Sequence, residues 1–147
     1  MEARPSRLST DRRGSVAVEF ALLFTLMLTM LFGATQFGIA FYHKEVLSTA
    51  TKSAARLIGV GRTNATIWAD ARAAFFEAAP SLKPAQTTVT IVINGTTCGS
   101  NAACATAMAT ASGQPATVRA TYPCNLKVIT DFYPGCLLKS STTQKVE

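Results

Sequence analysis

One uncharged run constrains this chain more than any other feature. From Phe20 to Tyr42, 23 consecutive residues include no Asp, Glu, Lys, Arg or His, and only three threonines and one glutamine are strongly polar. About 20 such residues cross a bilayer as a helix. The run therefore predicts a transmembrane helix over residues 15–43. The alternative is a buried core helix, which is usually shorter.

The net charge of +6 is distributed without a basic cluster interleaved with aromatic residues. We therefore expect no nucleic-acid binding. Four arginines precede the run, and the flank after it carries Lys44, Lys52 and Arg56. Basic residues near a span favour the cytoplasmic side, so this bias indicates a cytoplasmic N-terminus.

All four cysteines follow the run: Cys98, Cys104, Cys124 and Cys136. An even number in a small domain beyond a span indicates disulfides in an oxidising compartment. Of the three possible pairings we favour the local one, which joins the first cysteine to the second and the third to the fourth. Zinc is the alternative, but the spacings do not match a short Cys-x₂₋₄-Cys motif, and the only histidine, His43, is far away in sequence.

Hydrophobic periodicity extends the helix beyond the membrane. Residues 15–58 read as one helix that becomes amphipathic after the uncharged run, and Gly59 and Gly61 are expected to end it as left-handed caps. A second helix is predicted in "NATIWADARAAFFEAAP", where Asn64 or Thr66 would cap the start and a proline would mark the end.

The rest of the chain has the pattern of β-structure. Residues 87–93 and 116–122 alternate and are rich in β-branched side chains. Asn94 and Gly95, directly after the first of these segments, predict a turn. A last strand is plausible from Cys136 onward. The alanine-rich segment 101–114 reads as a short helix or a loop. The predicted fold class is α+β, with about three antiparallel strands, in an exported domain over residues 44–147.

No catalytic constellation accompanies these elements. The chain has one histidine, no G-x-S-x-G sequence and no P-loop. We expect neither an enzyme nor a cofactor or small-molecule substrate, although a membrane-tethered enzyme with an unrecognised site is a rival hypothesis. His43 lies beside Tyr42 and Lys44 at the end of the run, where an interfacial anchor role is the better interpretation.

The start of the run, "RRGSVAVEF", does not fit an ordinary secretory signal, because the apolar segment is too long and the small residues suited to cleavage lie inside it. It resembles the prepilin-peptidase site of type IV pilin-like proteins. There a basic leader ends in glycine, cleavage follows it, and a glutamate is the fifth residue of the mature chain. This resemblance implies a leader over residues 1–14, cleavage between Gly14 and Ser15, and Glu19 as that glutamate, with Phe20 after it.

A longer stretch, residues 12–56, is similar to the TadE-like family, the minor pilins (pseudopilins) of bacterial tight-adherence, or Flp, pili. The similarity consists of the G-x₄-E-F-A opening, the glycine-and-aromatic segment from Gly33 to Tyr42, and an alanine-rich helix ending in Ala-Ala-Arg. The C-terminal half is similar to the family only loosely, through its alternating strands and its serine- and threonine-rich end from Ser140 to Glu147. The four cysteines of the distal domain are a departure from the family pattern.

The resemblance also implies roles for polar residues of the span. A carboxylate in an apolar region needs a partner, and the new terminal ammonium of a neighbouring subunit would pair with Glu19 and set the register between subunits. The alternative is a solvated Glu19 at headgroup depth. Independently of the resemblance, Thr25, Thr29 and Gly33 recur every four residues and would form a small-residue ridge for helix packing. The alternative is that these residues have no packing role, since threonine and glycine are common in membrane spans.

The function expected from this resemblance is pilus assembly and surface attachment by a minor pilin in the bacterial cytoplasmic (inner) membrane. Its expected partners are the membrane, a prepilin peptidase, other pilins or pseudopilins, and inner-membrane assembly proteins. The rival hypothesis is a signal-anchored binding or adhesin module unrelated to pili, which would retain residues 1–14.

Overall fold

A computed structural model of the chain describes residues 12–124 and 135–147. The leader expected over residues 1–14 therefore lies mostly outside the described residues. Contacts divide the chain into two compact units, with the boundary between Thr35 and Gln36. The elements are helix α1 (Arg12–Val60), helix α2 (Ile67–Glu77), a 3₁₀ turn (Pro84–Gln86), strands β1 (Thr88–Ile93) and β2 (Thr96–Cys98), helix α3 (Asn101–Ala109), and strands β3 (Pro115–Pro123) and β4 (Leu137–Lys145).

The described part of the first unit is the first half of α1. This helix is long and apolar enough to span a membrane, and the most apolar window within it is not buried against the rest of the chain. Its threonine hydroxyls bond to carbonyls of the preceding turn, as Thr25 Oγ1 does to Ala21 O at 2.8 Å. Polar groups satisfied within a helix suit a hydrocarbon environment. The predicted membrane helix is therefore a candidate span here.

The second unit is built on an antiparallel sheet in the order β2-β1-β3-β4. A two-residue turn at Asn94 and Gly95 joins β1 to β2, and both residues have positive φ (47° and 79°). Such a turn matches the twist of the strands it connects and favours Asn-Gly. The turn predicted from this dipeptide is confirmed.

One face of the sheet carries the core. On β3 the alternate residues Ala116, Val118, Ala120 and Tyr122 are buried, and Val118 lies opposite the buried Ile91 of β1. Against this face pack apolar residues of α1, α2 and α3, among them Leu47, Ala54, Ile58, Ile67, Phe75 and Met108. The α+β fold class predicted from alternation and helical periodicity is confirmed.

Both edges of the sheet are protected. Strand β2 is three residues long, and α1 contacts the other edge strand, β4, where Lys44 Nζ donates to Lys139 O. Two residues after β4, the Glu147 N–H donates to Gly59 O at 2.9 Å. A short strand or a covering helix prevents unwanted edge pairing. The buried Thr51 hydroxyl adds a bond to Ser140 Oγ at 2.8 Å.

Helix α1 ends near the predicted residue, but the two glycines there have a different role from the one predicted. The helix ends at Val60, close to the predicted position, but Gly59 and Gly61 are not among the residues with positive φ. A Cβ at Gly59 would lie 3.2 Å from Lys145 O, and one at Gly61 would lie 2.8 Å from Leu57 O and against Ile67 Cδ1. Gly61 therefore needs glycine for space, and Gly59 leaves little room for a larger residue. The prediction of left-handed caps was wrong.

Other boundaries also moved. Helix α1 begins at Arg12, three residues before the predicted Ser15, so Gly14 is helical. The ambiguous alanine-rich segment contains α3, where Ser100 Oγ accepts a bond from the Ala103 N–H at 3.3 Å. The described residues form four strands where about three were predicted, because the short, polar β2 lacks the alternation of a long strand.

Candidate functional site

The predicted processing site lies near the start of α1. Gly14 and Ser15 are both exposed, and a Cβ built on Gly14 would meet no atom within 4 Å. Nothing in the fold therefore requires glycine at this position. Gly14 is the third residue of α1, so the predicted cut lies in the first turn of the helix.

Glu19 lies one helical turn after Ser15, and both side chains are exposed. Residues four apart share a helix face. Phe20 is 67% exposed, and its ring stacks on that of Phe24 with centroids 5.8 Å apart. Glu19 and Phe20 are thus accessible to a molecule outside this chain.

The ridge residues Thr25 and Thr29 are exposed, and Gly33 is half-exposed with no atom within 4 Å of a built Cβ. Thr29 Oγ1 bonds to Thr25 O at 2.7 Å, so the hydroxyls turn back onto the helix. The spacing of four places these residues on one face. In the described part of the chain this face is open to another helix.

The four cysteines lie in two pairs at disulfide distance. Cys98, at the end of β2, pairs with Cys104 of α3 with a Cα–Cα separation of 5.1 Å. Cys124 pairs with Cys136, across the ends of β3 and β4, at 5.3 Å. Bridged cysteines usually have Cα atoms 4.4–6.8 Å apart. The favoured local pairing is the one in the structure, and the described residues hold no group of three or more potential ligands that suits a metal ion.

A polar cluster lies at the start of α2, and the hydrophobic periodicity of the sequence carried no signal for it. Thr66 occupies the N-cap position without a side-chain cap bond. Instead Asn64 Nδ2 donates to Asp70 Oδ2 at 2.7 Å, and Thr66 Oγ1 donates to the same oxygen at 2.8 Å. These two bonds hold the pKa of Asp70 below its ordinary value, and the bond from Asn64 has the larger effect. The cluster stabilises the start of α2.

His43 lies near two tyrosine rings. Its ring lies 5.6 Å from that of Tyr42 and 5.4 Å from that of Tyr122, measured between centroids. Its Nδ1 atom is buried and has no hydrogen-bond partner among the described residues. Only the fold brings Tyr122 to this position, so the sequence carried no local signal for the contact.

Comparison with known proteins gives one match. The family model described as "TadE-like protein" matches residues 14–56. No curated protein and no solved structure matches the chain. The matched segment begins at Gly14, includes Glu19 and the ridge, and ends in the alanine-rich part of α1. The resemblance seen in the sequence is confirmed over this segment, and residues 14–56 make this a chain with a TadE-like N-terminal segment, which suggests a protein associated with Tad pili.

Proposed function

We propose that the protein is a non-enzymatic minor pilin, or pseudopilin, of a tight-adherence pilus. In this proposal α1 anchors it in the bacterial cytoplasmic membrane, and the second unit lies outside the cytoplasm. A prepilin peptidase removes residues 1–14, and the mature chain then acts in pilus assembly and surface attachment with other pilins and inner-membrane assembly proteins.

The observation that carries this proposal is where the family match begins. The match starts at Gly14, the residue before the expected cut, and covers the uncharged run that would stay in the mature protein. A cut after Gly14 makes Glu19 the fifth residue. A generic membrane anchor needs neither a glycine after a basic leader nor a carboxylate at the mouth of its apolar run.

The exposure of α1 supports an assembly role. Large apolar side chains along the first half of the helix are exposed, for example Leu22 at 69% and Met27 at 70%. Lipid can cover such residues, and so can the helices of neighbouring subunits. The exposed Glu19 carboxylate is costly in hydrocarbon without a partner. A neighbouring amino terminus would supply the charge and set the register.

The cysteine pairs support export of the second unit. Disulfides persist in the periplasm and outside the cell and are rare in the cytoplasm. Both pairs lie in the second unit, beyond the candidate span. This arrangement agrees with the orientation indicated by the flanking basic residues.

Processing tests the proposal directly. Protein isolated from its native host should begin at Ser15 when sequenced from the amino terminus. Gly14→Ala should still be cleaved, whereas Gly14→Leu should not, because the peptidase must approach the backbone closely at the cut. Since a Cβ at Gly14 would meet no atom of the described residues within 4 Å, we expect both variants to insert equally well, and a processing defect would report on the peptidase.

A mature chain beginning at Met1 in cells with an active prepilin peptidase would overturn the proposal. That result would favour the rival, a signal-anchored binding or adhesin module that keeps its leader. In that case Glu19 would have no role in assembly, while the prediction of a membrane anchor would be unaffected.

A further inference from the structure

An apolar groove lies at the beginning of the second unit. It has a volume of about 330 Å³ and is formed by α1 from Phe37 to Lys44, by the Cys124–Cys136 pair and by the first residues of β4. Its walls include Phe41 and Leu137, which are 72% and 54% exposed. Pockets of this size, about 300 Å³ and upward, hold small apolar ligands.

The position of the groove along the chain indicates what can reach it. Phe37 and Phe41 belong to the uncharged run that ends at Tyr42. As a helix this run is about 35 Å long, which exceeds the roughly 30 Å of bilayer hydrocarbon. Its last residues therefore lie at the headgroup boundary if the helix spans the membrane, and the groove opens where acyl chains and headgroups meet.

The rim of the groove carries positive charge. Lys44 Nζ donates to Lys139 O, so one of its three N–H donors holds the ammonium beside β4 and two remain. The side chain of Lys139 is exposed next to it. None of the described residues that line the groove is acidic. An apolar floor below two ammonium groups complements an anionic amphiphile.

We propose that this groove binds one anionic phospholipid of the bilayer, with an acyl chain against Phe37, Phe41 and Leu137 and the phosphate beside Lys44 and Lys139. The bound lipid would seat the second unit on the membrane surface. This inference depends on the membrane anchor and goes beyond the proposed pilus function, so it can fail or stand independently of cleavage after Gly14.

Native mass spectrometry of the full chain in detergent tests the proposal. Palmitoyl-oleoyl-phosphatidylglycerol and the zwitterionic phosphatidylcholine with the same chains are added separately. The wild-type chain should retain one phosphatidylglycerol in preference to phosphatidylcholine. Lys139→Gln and Lys44→Gln should each weaken phosphatidylglycerol binding about fivefold, the usual effect of one basic residue near an anionic lipid surface. Leu137→Glu should reduce binding of both lipids.

Lys52→Gln is the matched control, since Lys52 is an exposed lysine of α1 outside the groove. It should leave lipid retention unchanged. Equal retention of the two lipids by the wild-type chain, or the same loss in Lys52→Gln as in Lys139→Gln, would overturn the proposal. So would a dimer of the delipidated chain that Leu137→Glu abolishes, because the groove would then belong to a second copy.

Discussion

Gly61 provides a sharp test of how α1 is joined to α2. A methyl group at this position would lie 2.8 Å from Leu57 O and in contact with Ile67 Cδ1. The carbonyl belongs to the last turns of α1, and Ile67 is a buried residue at the start of α2, so neither can move far. Overpacking of this kind costs about 1–3 kcal/mol. We expect Gly61→Ala to lower the free energy of unfolding of the second unit by that amount.

The assay can use the single tryptophan. Trp68 directly follows Ile67 in α2, so its fluorescence reports on the region that the substitution perturbs. For a domain of about 100 residues, each kcal/mol shifts Tm by roughly 4–8 °C. Thermal unfolding of the full chain in detergent should therefore show Tm lowered by about 4 °C or more. Gly99→Ala is the control, because a Cβ there meets no atom within 4 Å and it should stay within about 0.5 kcal/mol of wild type.

Gly61→Asn separates the two possible reasons for this glycine. Asparagine is tolerated in left-handed caps, so a cap role would preserve stability in this variant. The steric role predicts a loss at least as large as that of Gly61→Ala. Wild-type stability in Gly61→Ala would refute the reasoning.

Three further predictions concern charge and covalent structure. Glu19→Gln should leave insertion and cleavage intact but abolish co-purification with other pilus proteins and surface attachment, because the charge-assisted pair is lost; normal attachment would leave Glu19 without an assembly role. The intact mass of the unreduced chain should be about four hydrogens below that of the reduced chain, and four alkylatable thiols would contradict this. Replacing both Cys124 and Cys136 by serine should lower the free energy of unfolding by about 3 kcal/mol, the value expected for a separation of 12 residues. The lowered pKa of Asp70 contributes stability that is present above its unfolded pKa and is lost as pH falls through the lower folded value. Asn64→Ala should raise that pKa in an NMR titration, and an unchanged pKa would exclude the assigned cause.

Much of the fold could be predicted because its signals are local. The uncharged run predicted the long helix, alternation predicted β1 and β3, and Asn94-Gly95 predicted the turn after β1. The candidate assembly residues Gly14 and Glu19 were also predicted from a local signal. They belong to a short motif that lies between a basic leader and a long apolar run. These signals depend on neighbours within a few positions, where backbone preferences and helix or strand periodicity act.

The sequence by itself thus determined that α1 contains a candidate membrane span, the α+β class and the TadE-like segment. Only the tertiary structure decided the order of the strands, the steric role of Gly61 and the groove beside Lys44. The bond from Lys44 to Lys139 O joins residues 95 positions apart. No local pattern encodes such a contact, because it exists only after burial of the core packs α1 against the sheet and brings β4 alongside the helix.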